Sequence, residues 1–395
     1  MQLSSEAVVI VAARRTPIGA FQGALAPLTA PQLSAAATRA CLADTQLDGR
    51  EIDQALIGCV LQAAVGQAPA RQAVLAAGLP VSLPTITVNK VCGSGMATVM
   101  LARDLIRSGT AGAVLAGGME SMSNAPYLLP KARSGYRMGH QEVLDHMFYD
   151  GLQNPYDGNM MGQFAERTAA RYALSREVQD AFASESVRRA LAACKDGRFN
   201  AEVVPVAVKG RNGDSTIQQD EEPFRADLSR IPKMKPAFAK DGTVTAASSS
   251  SISDGAASLL VMSEKEAARR GLPPLAFIVD AATYAHEPEW FTTAPTHAIK
   301  ALLAKTGWKP GDVDLYEINE AFACVTLASI RELDLDPARV NVNGGACALG
   351  HPIGATGSRL IVSLIHALRQ RGGKRGVAAL CIGGGEGLAM AVEVQ

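Results

Sequence analysis

The sequence predicts an α/β fold, with a mostly parallel sheet that is covered by helices and divided into two similar halves. Two observations lead to this prediction. Apolar strand patterns alternate with helical patterns at both ends of the chain, which is typical of parallel sheets. The chain also repeats itself, because GTAGAVLAGGMES near residue 112 resembles GKRGVAALCIGGGEG near residue 376.

Composition excludes several classes of protein. Nearly half of the 395 residues are apolar and 19% are charged, as in a globular enzyme. The 38 basic residues balance the 38 acidic ones, so no overall field favours nucleic acid or a membrane surface. The apolar run 7–13 precedes Arg14 and Arg15, the reverse of a signal peptide, and no segment approaches the ~20 apolar residues of a membrane span. We expect a cytoplasmic protein.

The seven cysteines are odd in number and show no CxxC spacing. Such a distribution argues against a disulfide framework and against a zinc site. We therefore expect no metal, and we examine individual cysteines as candidate nucleophiles.

The elements follow in order from local patterns. In the first half we predict strands at 8–12, 57–61, 85–88 and 113–116, and helices at 32–47 and 96–108. A helix at 168–191, with Ser175 as a plausible cap, lies in a middle region of irregular composition. In the second half, the helix–strand order of 32–61 recurs at 296–318, and a further helix follows Ala355.

The repeat also predicts the domain organisation. DGAASLLVMS at 254–263 resembles GEGLAMAVEV at 385–394, so the last strand of the first copy follows residue 250. We predict a first half at 1–121 plus 251–272, an inserted segment at 122–250 and a second half at 273–395. Equivalent loops of duplicated halves are expected to meet where α/β sheets bind ligands.

Cys92 lies between the strand 85–88 and the helix 96–108, in the turn NKVCGSG. Free N–H groups at a helix start favour a thiolate, and such settings lower a cysteine pKa from ~8.5 to roughly 3.5–7.5. A buried, inert cysteine is the alternative, and this stretch alone leaves both possibilities open.

The second half holds three further candidates at comparable positions. Asn319 follows a strand in NEAFA, His351 lies in the loop GGACALGHPIGATG, and Cys381 ends a strand before three glycines. Each has a simpler interpretation alone: a helix cap, a structural histidine or a packed strand residue. Their shared position at the ends of repeated strands favours one catalytic site. The other cysteines lack this setting and are interpreted as packing residues: Cys41, Cys59, Cys194, Cys324 and Cys347.

The motifs NKVCGSG, GGMESMSNAPY, NEAFA, GGACALGHPIGATG and CIGGGEG closely resemble those of the thiolase family, over essentially the whole chain. The resemblance implies a five-layered αβαβα core of two duplicated halves, with an inserted loop domain for coenzyme A binding and tetramerisation. It implies a homotetramer, built as a pair of dimers, that acts on acyl-CoA and free CoA without metal or redox cofactor. The implied reaction is the reversible Claisen condensation of two acetyl-CoA to acetoacetyl-CoA.

The resemblance also implies roles for single residues. Cys92 resembles the acylated nucleophile, His351 its activating base, Cys381 the second acid/base, Asn319 a water-holding residue and Gly383 a backbone oxyanion donor. Positions that resemble contacts to the pantetheine arm or substrate are Ser250, Ala246, Phe238, Phe322, Leu152 and Met161. Arg225 resembles a basic residue near the nucleotide of coenzyme A. A Cys–His pair suits acyl transfer, and a second group is needed to remove the α-proton while Cys92 is occupied.

Three alternatives remain open. Met160 stands where many biosynthetic thiolases have a histidine, and its apolar side chain keeps a longer-chain 3-ketoacyl-CoA thiolase of fatty-acid β-oxidation possible. A β-ketoacyl synthase-like condensing enzyme is a second alternative, although its usual acid/base set lacks a second cysteine. A non-catalytic acyl-CoA- or lipid-binding protein of the same fold is the third.

Overall fold

The structure is a computed structural model and describes residues 7–210 and 213–395. Its strands are β1 (Val8–Arg15), β2 (Gly19–Ala20), β3 (Gln54–Gly58), β4 (Thr85–Val88), β5 (Ala113–Ser121), β6 (Tyr127–Leu128), β7 (Leu144–Asp145), β8 (Val206–Val208), β9 (Ser215–Ile217), β10 (Ser253–Ser263), β11 (Ala276–Ala285), β12 (Leu315–Ile318), β13 (Arg375–Ile382) and β14 (Glu386–Glu393). Its α-helices are α1 (Ala30–Thr45), α2 (Pro69–Ala76), α3 (Ser94–Arg107), α4 (Met161–Arg171), α5 (Arg176–Lys195), α6 (Glu222–Arg225), α7 (Glu264–Arg269), α8 (Ala294–Thr306), α9 (Ala323–Leu333), α10 (Ala346–Leu349) and α11 (Ile353–Arg371).

The main sheet runs in the order β12-β13-β14-β11-β1-β10-β5-β3-β4, with β2 beside β10. The order is nearly symmetric about the β11–β1 pair. From that pair outward, β14, β13 and β12 follow on one side, and β10, β5 and β3 follow on the other. This symmetry agrees with the two halves predicted from the repeat.

Helices cover both faces of each half-sheet and give five layers. The helices α1 and α2 pack on the outer face of the first half, and α8 packs on the outer face of the second. The helices α3 and α11 lie between the halves, where the largest apolar cluster draws residues from both half-sheets. The αβαβα architecture expected from the resemblance is therefore confirmed. In the described residues, no helix is both long and apolar enough to cross a membrane.

The prediction of a mostly parallel sheet is wrong. Among the described strands of the main sheet, only β3 with β4, β3 with β5, and β12 with β13 are parallel. The other pairs of the main sheet are antiparallel, including β10 with β5 and β13 with β14. The strand β14 follows β13 through a short glycine turn, which joins antiparallel neighbours but cannot join parallel ones. The alternation of strand and helix patterns in a sequence does not show whether one strand runs antiparallel to its neighbour in the sheet.

Most local predictions agree with the structure to within a few residues. The strand β4 has the predicted bounds, and α3 begins two residues before its predicted start and ends before Gly109, whose φ of 71° suits a helix C-terminus. The helix α1 begins at a capping box between Thr29 and Gln32. The strand predicted at 57–61 lies at Gln54–Gly58.

Two predicted elements have different bounds. The strand predicted at 113–116 continues to Ser121, because Gly117 and Gly118 pair with β10 instead of ending the strand. The single helix predicted at 168–191 is two helices, α4 and α5. Between them Ala173 has a φ of 47°, and the side chain of Ser175 caps α5 as predicted.

Glycines allow the first turns of α3 and α11 to approach each other closely. A β-carbon at Gly95 would overlap the backbone nitrogen of Ser358, and one at Gly357 would overlap the backbone nitrogen of Met96. Only glycine permits this approach of backbone to backbone. The contact brings the turns that precede the two helices, with Cys92 and His351, to one place.

Candidate active site

A cavity lies where the two halves and the segment 122–250 meet. Cys92, His351 and Gly383 all line it. Thioether and aromatic side chains form much of the remaining wall: Met122, Met160, Met161, Phe148, Phe238, Phe291 and Phe322. The site is thus a largely apolar pocket with a few polar groups, the usual form of a small-molecule site.

Cys92 sits on a sharp turn between β4 and α3, as predicted. Val91 has a φ of 47°, which is unfavourable for a β-branched residue and is held by the surrounding hydrogen bonds. The hydroxyl of Ser94 donates to the carbonyl of Val91 at 2.7 Å and accepts from the N–H of Lys90 at 2.9 Å. This turn presents the Cys92 sulfur to the cavity.

The predicted low pKa of Cys92 is wrong. Cys92 is 9% exposed, and burial raises the pKa of its thiol to about 11. The backbone N–H groups of Gly383 and of Cys92 itself lower the pKa, but by less than burial raises it, and Glu120 raises it further. Desolvation therefore outweighs the helix start. The Cys92 side chain is therefore a protonated thiol at pH 7, and a reaction at its sulfur would need a base.

The protonation state and the hydrogen bonds of His351 suit it to the role of such a base. Burial, with a smaller effect from Arg359, lowers the pKa of His351 to about 3, so its imidazole is neutral at pH 7. Its Nδ1 lies 2.6 Å from Oγ1 of Thr356, and that hydroxyl donates to the carbonyl of Pro352 at 3.0 Å. The hydroxyl thus accepts from Nδ1–H. This network assigns the ring proton to Nδ1 and leaves Nε2 as the proton acceptor.

Thr356→Val should slow reactions of Cys92 that depend on His351. The valine keeps the shape of threonine but removes the acceptor for Nδ1–H, so the imidazole loses its fixed tautomer. We expect a loss of about 10-fold to 10²-fold, within the ~10²–10⁴ that a whole general base contributes. The measurement is the rate of carbamidomethylation of Cys92 by iodoacetamide, mapped by peptide mass. Thr356→Ser keeps the hydroxyl and should stay near wild type; equal losses in both variants would contradict the assignment.

Asn319 and Cys381 lie behind the cavity wall, and both are fully buried. Asn319 follows β12, and its Oδ1 and Nδ2 have no hydrogen-bond partner in the described structure. Nε2 of His351 is likewise unpartnered there. Buried polar atoms are rarely left unpaired, so a cluster of unpaired polar atoms on Asn319 and His351 is typical of a site that binds water or substrate.

The sulfur of Cys381 is close enough to Cys92 that charge on Cys92 raises the pKa of Cys381, in addition to the larger effect of burial. All seven cysteines are free thiols. Of these seven, only Cys92 lines the cavity.

Five of the seven predicted substrate positions line the cavity: Ser250, Phe238, Phe322, Leu152 and Met161. The other two do not. Ala246 is exposed outside the cavity, and Arg225 is on α6, where its guanidinium forms an ion pair of 3.3 Å with Glu221.

The end of the segment 122–250 is fixed to the loop after β12. The N–H of Ser250 donates to the carbonyl of Ala321 at 3.0 Å, and the N–H of Ala323 donates to the carbonyl of Ser248 at 2.8 Å. The ring of Phe238 packs edge-on against Phe322, with centroids 5.9 Å apart. These contacts place the predicted substrate side chains beside the NEAFA motif.

Sequence reasoning missed two residues that hold the site. Thr356 is in the first turn of α11. The feature of the sequence that could have identified it is a hydroxyl side chain five residues after His351. Glu120 is fully buried and accepts three backbone N–H groups, from Val60, Leu61 and Gly354. Its signal in the sequence is a single charge at the end of an otherwise uncharged strand.

Comparisons with known proteins agree over the full chain. The thiolase N-terminal domain matches residues 8–265, and the thiolase C-terminal domain matches residues 272–394. The acetyl-CoA acetyltransferase of Pseudomonas aeruginosa is 49% identical over 385 residues, which is 97% of this chain and 98% of that protein. The probable acetyl-CoA acyltransferase of Staphylococcus aureus is 45% identical over 387 residues, 98% of each chain.

Among solved structures, the crystal structure of the Bacillus anthracis acetyl-CoA acetyltransferase superposes with a TM-score of 0.97. It is 41% identical in sequence, and the match covers 100% of both chains. Fold, sequence and the arrangement of the motifs thus lead to one assignment: the chain belongs to the thiolase family.

Proposed function

We propose that this thiolase is an acetyl-CoA C-acetyltransferase, which joins two acetyl-CoA to acetoacetyl-CoA and CoA and also catalyses the reverse thiolysis. The observation that carries the proposal is the pairing, on one apolar cavity, of a buried Cys92 thiol with a neutral His351 whose Nε2 is free to accept a proton. The names of the relatives support the same reaction.

In the first half-reaction, Nε2 of His351 takes the proton of Cys92 as the sulfur attacks the thioester carbonyl of acetyl-CoA. The thiolate and imidazolium form together and attract one another in the apolar cavity. The N–H groups of Cys92 and Gly383 suit the oxyanion of the tetrahedral intermediate, and one such donor is worth roughly 2.7–4 kcal/mol. Cys381 donates a proton to the departing CoA sulfur, which leaves acetyl-Cys92.

In the second half-reaction, the Cys381 thiolate removes a methyl proton from a second acetyl-CoA. The enolate oxygen is stabilised by the imidazolium of His351 and by a water held on Asn319. The enolate carbon attacks acetyl-Cys92, the carbon–sulfur bond breaks, and Cys92 recovers its proton from His351. Acetoacetyl-CoA leaves, and all three side chains return to their resting protonation states.

Thiolysis of 3-ketoacyl-CoA substrates of increasing length tests this function against the longer-chain alternative. Met160 on the cavity wall is the observation that favours that alternative. We expect kcat/KM to be highest with acetoacetyl-CoA and to fall with substrates several carbons longer, since one methylene changes binding by only about 1–3 kcal/mol.

Met160→Ala is the matched variant, because it removes side chain from the wall without touching Cys92. It should raise the efficiency of a six-carbon 3-ketoacyl-CoA relative to acetoacetyl-CoA. Equal or rising wild-type efficiency with the six-carbon substrate would replace the acetyl-specific function by the longer-chain one. An inactive wild type would contradict both.

We also propose that residues 122–250 act as the coenzyme A-binding and tetramerisation unit between the halves 1–121 plus 251–272 and 273–395. Large apolar side chains exposed on this segment support a homotetramer: Tyr127, Leu129, Met138 and Tyr149. Light scattering that finds a monomer at micromolar concentration would contradict it. The proposed location is the cytoplasm, and the proposed reaction needs only these side chains and coenzyme A thioesters, with no added cofactor.

A further inference from the structure

Glu120 joins three segments of the chain through one carboxylate. It lies near the end of β5 and is fully buried. Its Oε2 accepts the N–H of Val60 at 3.1 Å and that of Gly354 at 2.9 Å. Its Oε1 accepts the N–H of Leu61 at 3.1 Å, and the thiol of Cys59 lies 3.8 Å from the same oxygen. The carboxylate therefore connects β5 to the loop after β3 and to the start of α11.

Packing alone does not explain a carboxylate at this place. In the described structure no basic side chain pairs with Glu120, and a buried carboxylate without a cation is costly. Among the described residues, backbone N–H groups are its only strong partners. One of them belongs to Gly354, which is in the first turn of α11, three residues after His351 and directly after the loop that carries it. Glu120 itself does not line the cavity.

We propose that Glu120 is a positioning residue of the acyl transfer, whose carboxylate fixes the His351 loop and thereby sets the placement of His351 relative to Cys92. The inference rests on the function proposed above for Cys92 and His351. A misplacement of about 1 Å between reacting groups can cost on the order of 10²-fold in rate. Loss of the hydrogen bond from Gly354 to Glu120 should therefore change kcat more than KM.

Two substitutions separate the reach of the side chain from its charge. Glu120→Asp keeps the charge but withdraws the carboxylate by one methylene, so it cannot hold β5, the β3 loop and Gly354 together. We expect kcat to fall about 10²-fold with KM changed little, because the cavity wall is intact. Glu120→Gln keeps the reach and one oxygen for Gly354 and Val60, and should lose less than 10-fold.

The pH profile supplies a readout that a purely structural role would not move. Burial raises the pKa of Glu120 to about 7, against the opposing effect of its three N–H donors. The titratable groups that face it are the thiols of Cys59 and Cys92, and burial raises the pKa of both, that of Cys92 to about 11. The pKa of His351 is lowered to about 3. We therefore expect an ionisation near pH 7 on the acid limb of Cys92 reactivity, and its loss in Glu120→Gln would assign it to Glu120.

The matched control is Asp53→Asn. The exposed Asp53 carboxylate accepts the N–H groups of Gly112 and Ala113 at the opposite end of β5, at 2.6 and 2.9 Å. Like Glu120, it is a carboxylate that accepts backbone N–H groups at one end of β5, but in the described structure it has no hydrogen bond to the residues around His351. This variant should lose thermal stability while its kcat and its pH profile stay those of the wild type.

The experiment measures carbamidomethylation of Cys92 by iodoacetamide, mapped by peptide mass over a pH range that brackets 7. Acetoacetyl-CoA thiolysis and the melting temperature are measured on the same variants.

We expect slowed labelling of Cys92 in Glu120→Asp, and loss of the ionisation near pH 7 in Glu120→Gln. Wild-type labelling and kcat in Glu120→Asp, or an unchanged ionisation in Glu120→Gln, would overturn the role. If Glu120→Asp does not fold, absence of the ionisation in the wild type overturns it. A wild type that is inactive on acetoacetyl-CoA, with labelling still slowed by Glu120→Asp, would overturn only the proposed function.

Discussion

Cys92→Ser should form no acyl-enzyme with acetyl-CoA and should lose turnover on the order of 10⁶-fold, as enzymes do when an activated nucleophile is removed. A hydroxyl is far less acidic than a thiol, and His351, with its pKa lowered to about 3, is too weak a base to compensate. The measurement is intact and peptide mass after incubation with acetyl-CoA. The wild type should carry one acetyl group, on the peptide that contains Cys92.

Cys194→Ser is the control for this variant, because Cys194 packs in a different apolar cluster and does not line the cavity. It should keep both the adduct and the turnover. An acetyl group on Cys381 or Cys347 would contradict the assignment of the nucleophile. Initial-rate plots of the wild type should be parallel, because the first product leaves before the second substrate binds.

Cys381→Ala should separate the two half-reactions. Acylation needs His351 and the oxyanion donors but no removal of an α-proton, so the acetyl-enzyme should still form, though more slowly. Condensation should fall by about 10²–10⁴-fold, the usual contribution of a general acid or base. Exchange of the acetyl-CoA methyl protons with heavy water, followed by mass or NMR, should fall in parallel.

Cys324→Ala controls for packing in this comparison. Cys324 and Cys381 are both fully buried in the same apolar cluster, so each truncation should cost a similar stability, about 1 kcal/mol. Only Cys381→Ala should lose condensation. If Cys381→Ala instead kept condensation and lost acylation, the two sulfurs would have each other's roles.

The sequence contained enough to predict where the candidate nucleophile lies. Alternating β-branched residues at 85–88 and the glycines around Cys92 specify a strand, a turn and a helix by local chemistry, and β4 and α3 follow that prediction. The repeat likewise predicted which strand ends would meet, because equivalent segments fold equivalently. Local patterns and internal repeats can both be recognised in a sequence without knowledge of contacts between distant residues.

Strand direction and acidity could not be predicted in the same way. Whether β10 enters beside β5 parallel or antiparallel depends on the path of residues 122–250, which no pattern in the two strands specifies. The pKa of Cys92 depends on how completely other segments exclude water from it, and that burial reverses the effect of the helix start. Strand direction and the pKa of Cys92 both depend on contacts between segments that are distant in the sequence.

Glu120 and Thr356 were missed for a related reason. Glu120 acts through backbone N–H groups, and every residue offers one regardless of its side chain. Its partner Gly354 is in the other half of the chain, so no local pattern marks the pair. Thr356 is closer to His351, but a hydroxyl in a first helical turn is too common to single out.

The central layer, formed by α3 and α11, constrains how such an enzyme could have originated. Nearly every residue of α11 is buried, and α3 covers it from the other half of the molecule. A polypeptide with only one copy of the repeat would expose the apolar inner face of its central helix to water. The central helix of a second copy would cover that face, as α3 covers α11 here. Cys92 belongs to one half, and His351 and Cys381 belong to the other. A one-repeat ancestor is therefore expected to have been a two-fold dimer, in which the counterparts of Cys92 and His351 came from different chains. Gene fusion would then have made their meeting independent of protein concentration.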